Sequence, residues 1–274
     1  MASSSPFRSP GFVTIGSMRI HYARMGRGRR ALVALHGLMG GGAVWTPFAR
    51  ALGDDVDLIL PDARGHGRSS VPPDGYLYPD HADDLCGLIA ALGLVKPVLI
   101  GHSMGGMTAA LAASRLGSAL GGVILADPTF LEPAWQKEVH ASDVFDQHRR
   151  FLSRDRDDLI ADARERSTGR SQEMIAIATD ARLRTDIRAL DVLTPPNPDF
   201  RRLVSNILVP SLLILAERGV VSSETAQELV GLNPRLRVEM IQDAGHALPY
   251  DEPERLAALT RAFLQSHQDA TDWS

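Results

Sequence analysis

Val98-Leu99-Ile100-Gly101-His102-Ser103-Met104-Gly105-Gly106 passes from a short apolar run through a glycine-flanked serine into a helical pattern that continues to Leu116. G-x-S-x-G between a strand and a helix is the context in which a nucleophilic serine sits on a sharp turn. A serine held at a strained turn needs neighbours without a Cβ, so that backbone can pass close on either side. The helix that begins at the next residue presents its free N–H groups, and the positive end of its dipole, to the same spot. Ser103 is therefore read as the nucleophile, and the Met104 N–H as one donor to an oxyanion.

The alternation of run and helix extends outward from this stretch. Apolar runs at 12–15, 18–23, 31–35, 56–60, 98–100, 123–126, 211–215 and 237–241 read as strands, the first two as a hairpin. Helical patterns at 46–52, 79–92, 104–116, 223–229 and 253–266 separate most of them. This order predicts an α/β fold: a mostly parallel central sheet with helices on both faces. Ligands of such sheets bind outside the carboxyl ends of the strands, so catalytic groups are expected just after strands.

Residues 130–200 break the rhythm. They hold no convincing strand, and the stretch from Lys137 to Arg188 carries 11 basic and 11 acidic side chains. Balanced charge of this density predicts surface helices laced with ion pairs. The segment closes on Thr194-Pro195-Pro196-Asn197-Pro198. It is read as a helical lid inserted into a core made of residues 1–129 and 201–274. Phe130, Trp135, Phe145, Phe151, Met174, Ile175 and Ile177 are its candidates for apolar lining.

Two further strand ends carry chemistry. His36-Gly37-Leu38-Met39-Gly40-Gly41-Gly42 follows the third strand, and the Leu38 N–H is the candidate second oxyanion donor. No Gly-Lys-Ser/Thr follows the glycines, so the run is not a phosphate cradle. His36 itself reads as a brace for the loop. Gln242-Asp243-Ala244-Gly245-His246 follows the last strand and places His246 where it can reach the serine as its base. His21, His66, His81, His140, His148 and His267 lack that placement, and the elbow should turn the His102 side chain away. No two histidines show metal-ligand spacing with a carboxylate, so no metal is expected.

Together, the His36-Gly37 loop, Pro61-Asp62-Ala63-Arg64-Gly65-His66-Gly67-Arg68-Ser69, the Gly101-to-Gly106 elbow and Ala244-Gly245-His246 resemble the α/β-hydrolase superfamily. The resemblance implies an α/β-hydrolase fold over about residues 12–266, a serine mechanism without cofactor, and a structural role for Asp62 to Ser69. It also implies an acid in a Gly-x-x-Asp turn after the strand at 211–215. Here that turn reads Ala216-Glu217-Arg218-Gly219-Val220-Val221, with glycine at the acid's position. Two carboxylates are left to orient His246: Asp127, which ends the strand before, and Glu217. Asp127 is the assignment made, because a missing acid in the later turn is what relocation to the earlier strand leaves behind.

The expected function is hydrolysis of an ester or lactone of a small, largely apolar substrate. A carbon–carbon bond hydrolase or lyase on the same fold, or a non-catalytic small-molecule receptor, is the alternative. Bulk properties agree with a small-molecule partner. At 274 residues, with net charge −4 and 44% hydrophobic residues, the chain can bury a large core and lacks the basic surface that nucleic acid requires. No apolar run is long enough to span a bilayer, and MASSSPFRSP has no apolar leader. The single cysteine, Cys86, forms no internal disulfide, in keeping with a cytoplasmic protein.

Overall fold

The computed structural model describes residues 10–167 and 169–266. The leader reading of residues 1–9, and His267, lie outside the described residues. β1 (Gly11–Ile15) and β2 (Met18–Met25) form a hairpin, followed by β3 (Arg30–Leu35), α1 (Thr46–Leu52), β4 (Val56–Pro61) and α2 (Tyr78–Ala91). Then come β5 (Val98–His102), α3 (Met104–Leu116) and β6 (Gly122–Ala126). After β6 the chain runs through α4 (Pro133–Ala141), α5 (Val144–Leu152), α6 (Arg156–Arg166), α7 (Gln172–Leu183) and α8 (Phe200–Ser205). It returns as β7 (Ser211–Arg218), α9 (Ser223–Leu232), β8 (Leu236–Gly245), α10 (Leu248–Asp251) and α11 (Pro253–Ser266).

One eight-stranded sheet results, in the order β1-β2-β4-β3-β5-β6-β7-β8. β1, β2 and β4 pair antiparallel, and every pairing from β4 to β8 is parallel. Strands in the middle are buried on both faces, which is why they read as unbroken apolar runs. Period-two alternation still assigns their faces. Val33, Leu35 and Leu99 point into the core shared with α2, α3 and α9. Leu32, Ala34, Val98 and Ile100 point into the core shared with α1 and α11. Each buried Val, Leu or Ile among them contributes about 1.5–3 kcal/mol.

β7 and β8 are longer than their apolar runs. They pair with each other as far as Arg218 and Gly245, across an irregularity between Ala216 and Arg218. Glu217, Arg218, Gln242 and Asp243 on these ends are exposed, so hydrophobicity gives no sign of the extension. It carries Glu217 into the strand and away from the turn that follows.

Between β6 and β7 the chain is helical, with no strand among the described residues. Ion pairs lace it, among them Arg154–Asp162 at 2.6 Å and Arg156–Asp180 at 2.5 Å. The segment leaves and rejoins the core at one place, where the rings of Phe130 and Phe200 stack 5.0 Å apart. Beside them Gln136 donates to the Leu131 carbonyl and accepts from the Asn197 N–H, both at 2.8 Å. Among the described residues, no helix is long and apolar enough to cross a membrane.

Candidate active site

Ser103 sits between β5 and α3 at φ 54°, ψ −119°, a conformation that L-residues rarely adopt, and is 8% exposed. The two glycines that flank it at two residues' distance make the turn possible. A Cβ on Gly101 would overlap the Gly105 carbonyl, and one on Gly105 would overlap the Leu35 carbonyl. The elbow is tied to β6, since Ser103 N–H donates to the Ala126 carbonyl at 3.2 Å and Thr129 N–H returns to the Ser103 carbonyl at 3.2 Å.

Beside the serine lie two N–H groups that meet no acceptor among the described residues, those of Met104 and Leu38. Met104 opens α3, so no residue one turn earlier can take its N–H. Leu38 is aimed by its neighbours. The Gly37 carbonyl accepts from Gly40 N–H at 3.0 Å and from His36 Nδ1–H at 2.8 Å. A trans peptide points its N–H opposite its C=O, so anchoring that carbonyl inward turns Leu38 N–H outward. His36 is fixed in turn by Ala63 N–H, which donates to its Nε2 at 3.0 Å.

His246 follows directly on β8. Its Nε2 lies 2.9 Å from Ser103 Oγ and its Nδ1 2.6 Å from Asp127 Oδ2. Asp127 is fully buried at the end of β6, with φ 41°. Its carboxylate also accepts the Val220 N–H at 2.9 Å and the Val221 N–H at 3.1 Å. Gly219 is what makes room, because a Cβ there would overlap the Asp127 carboxylate. Glu217 is elsewhere: exposed, it accepts the Asp243 N–H at 2.6 Å.

Several buried histidines hold structure in the core. His102 turns from the serine and its Nε2–H donates to the His246 carbonyl at 2.7 Å, which steadies the backbone at 246. Burial, together with the neighbouring His246, pushes His102 down to about 3 and keeps it neutral. His21 pairs with Asp62 at 2.8 Å, and His148 donates to the Thr185 carbonyl at 2.9 Å. His66 Nε2 accepts the Met39 N–H at 3.2 Å, a contact with the loop after β3 that no motif announces. Among the described residues, no three His, Cys, Asp or Glu side chains converge to hold a metal ion.

The lid candidates divide. Met174 and Ile175 are buried, Phe130 is committed to Phe200, and Phe151 lies under the Arg182 guanidinium at 4.1 Å. The Phe145 ring meets His140 edge-on at 6.3 Å, and Trp135 is 41% exposed. Ile177 lines a cavity of about 490 Å³ with Gly41, Gly42 and Ala43, at the seam between α7 and the glycine-rich loop after β3.

A mostly parallel sheet whose strand ends deliver a strained serine and a carboxylate-paired histidine is the construction of the α/β-hydrolases. The chain belongs to the alpha/beta hydrolase family, whose sequence model matches residues 32–259. It is 30% identical to N-formylmaleamate deformylase of Pseudomonas putida, over 95% of this chain and 98% of the relative. It is 28% identical to 2-(acetamidomethylene)succinate hydrolase of Mesorhizobium japonicum, over 90% of this chain and 92% of the relative. Of solved structures, E-2-(acetamidomethylene)succinate hydrolase superposes with a TM-score of 0.79 at 23% identity, over 94% of this chain and 99% of that one. The enol-lactonase of Burkholderia xenovorans gives 0.75 at 21% identity, over 93% of this chain and 100% of that one. At such identities these two likenesses concern the fold.

Proposed function

We propose that this protein is a serine hydrolase that cleaves an ester or lactone of a small, largely apolar substrate through an acyl-enzyme. The observation that carries the reading is the unbroken relay Ser103 Oγ–His246–Asp127, with spacings of 2.9 and 2.6 Å. Ser103 Oγ attacks the substrate carbonyl while its proton passes to His246 Nε2. Asp127 accepts from Nδ1–H, which fixes the tautomer and stabilises the imidazolium that forms. The Leu38 and Met104 N–H groups hold the oxyanion. As the intermediate collapses, His246 returns the proton to the leaving alcohol. Water, deprotonated by the same imidazole, then releases the acid. Residues 130–200 serve as the lid of this site. Ser103 is nearly covered while the His246 side chain is 37% exposed, so substrate approaches from the histidine's side.

A second reading has a specific observation in its favour. The two relatives named above are a deformylase of N-formylmaleamate and a hydrolase of 2-(acetamidomethylene)succinate. Both substrates carry an N-acyl group, and the same steps cleave it when His246 protonates a leaving nitrogen instead of an oxygen. A panel of short esters, lactones and N-formyl or N-acetyl enamides separates the two by relative kcat/KM. Ser103→Ala should remain folded and lose turnover by roughly 10⁴ to 10⁶. Retention of a tenth of wild-type turnover would sink the serine mechanism. Tight small-molecule binding with no labelling by a serine-directed phosphonate would leave a receptor instead of an enzyme.

A further inference from the structure

The Arg64-Gly65-His66-Gly67 segment after β4 takes no part in the relay, yet one of its side chains reaches the oxyanion loop. His66 is 1% exposed. Its Nδ1–H donates to the Arg64 carbonyl at 2.9 Å, which leaves Nε2 as an acceptor, and Nε2 takes the Met39 N–H at 3.2 Å. The turn it grips is strained. Gly40 N–H closes on the Gly37 carbonyl, Met39 holds φ 63°, and Leu38 stays at negative φ. That is a type II turn, whose third residue is ordinarily glycine because an L-side chain there is disfavoured.

Such a turn relaxes by rotating its central peptide, here Leu38–Met39, which converts type II to type I and returns the third residue to negative φ. The rotation would carry Met39 N–H away from His66. The hydrogen bond to His66 therefore opposes the relaxation, one peptide beyond the Leu38 N–H that the acyl-enzyme reading makes an oxyanion donor. His36 anchors the preceding peptide, and its ring meets that of His66 edge-on at 4.9 Å. Consecutive peptides of the oxyanion loop are thus each held by one neutral imidazole.

We propose that His66 is a positioning residue for the reaction, its Nε2 lone pair holding the Leu38–Met39 peptide so that Leu38 N–H meets the oxyanion. The proposal rests on the acyl-enzyme reading above. Burial keeps His66 well below the usual histidine range, so the ring stays an acceptor under ordinary conditions. Protonation at Nε2 would set a donor against the Met39 N–H and release the turn.

The test compares p-nitrophenyl acetate with its thionoester, in which sulfur replaces the carbonyl oxygen. A hole shaped for oxygen discriminates against sulfur, so the ratio of kcat/KM for the two reads the hole itself. In His66→Ala, kcat on the ester should fall about 10- to 100-fold, the scale of a slightly misplaced group, with KM within about twofold. The ester-to-thionoester ratio should fall with it. His66→Gln, whose side-chain oxygen can accept the Met39 N–H, should restore the ratio.

Equal losses on both substrates, or wild-type kcat in the alanine variant, overturn the proposal. If alanine prevents folding, His66→Leu fills the space without an acceptor. Hydrogen exchange of the Met39 amide should then be faster in the leucine variant than in the glutamine one, a comparison that needs no substrate, and equal rates overturn the proposal. The underlying reading fails separately: Ser103→Ala that keeps ester turnover refutes the acyl-enzyme, whatever the Met39 amide does.

Discussion

Gly219 and Asp127 are one decision made at two positions. A glycine stands where the resemblance implies an acid, and its missing Cβ leaves the volume that the Asp127 carboxylate fills from β6. Two loop N–H groups and the His246 ring converge on that carboxylate. Asp127→Asn should therefore lower kcat by roughly 10⁴ while the protein still folds, because the amide cannot enforce the required tautomer. Glu217→Gln should stay near wild type, since Glu217 serves only the Asp243 N–H. Steady-state rates of the two variants decide between the carboxylates, and the reverse ranking refutes the assignment to Asp127. Gly219→Ala should cost activity without touching any reacting group, by about 10²-fold if the carboxylate moves by an ångström. Normal kcat in that variant would mean the carboxylate has room to spare.

At the scale of elements, the insertion is tied to the core by paired side chains and backbone, among them Arg50 with Glu173, Arg170 with Asp251, and Asp186 N–H with the Gly65 carbonyl. Gln136 joins its two ends, and Gln136→Ala leaves the Leu131 carbonyl and the Asn197 N–H without their partner. A loss of about 1–3 kcal/mol is expected. Hydrogen exchange should quicken around 131–141 and 197 and hold steady in β5 and β6; a uniform change would place the effect in the core. Met174 and Trp135 separate by burial. Met174 is 1% exposed, so Met174→Ala should lower stability by about 2–5 kcal/mol, read as a fall in Tm. Trp135, at 41% exposure, should move relative kcat/KM across a substrate panel more than Tm. A large fall in Tm with unchanged selectivity would show Trp135 to be packing. Helices α1, α3 and α11 match their sequence patterns end to end, because α1 and α11 each lay an apolar stripe on the sheet and α3 is buried all round from Met104 to Ala113. β7 and β8 outrun theirs, because their last residues are paired but exposed and no apolar signal marks backbone pairing.

The whole molecule carries an acid liability. His81 and His102 are buried and held neutral at about 3, His81 by burial and the nearby Arg64 guanidinium. Burial lowers His36 and His66 as well. An unfolded histidine takes its proton near pH 6.5, so between that pH and the folded value the unfolded chain binds more protons than the native one. Stability is thus fully present above pH 6.5 and lost as the pH falls toward 3. Each such histidine contributes up to about 1.4 kcal/mol per pH unit across the window. The urea midpoint should drop steeply from pH 7 to pH 5, and His81→Phe should flatten the drop by one histidine's share. A midpoint that holds constant over that range contradicts this account.

Periodicity and punctuation along the chain determine a good deal of this protein. Apolar runs of strand length, separated by helical stripes, specify a parallel sheet because only that arrangement buries both faces of each run. G-x-S-x-G specifies the elbow, since only glycine tolerates backbone packed so closely at 101 and 105. The apposition of groups far apart in sequence belongs to the tertiary structure. Asp127 and Glu217 both follow apolar runs in the sequence and both carry the right charge. What separates them is the depth of the pocket that Gly219 leaves open and the extra pairing that draws Glu217 along β7. His66 and His102 show the same limit. Each is an ordinary motif histidine in sequence, and each acts on a loop that only the folded sheet brings within hydrogen-bonding distance.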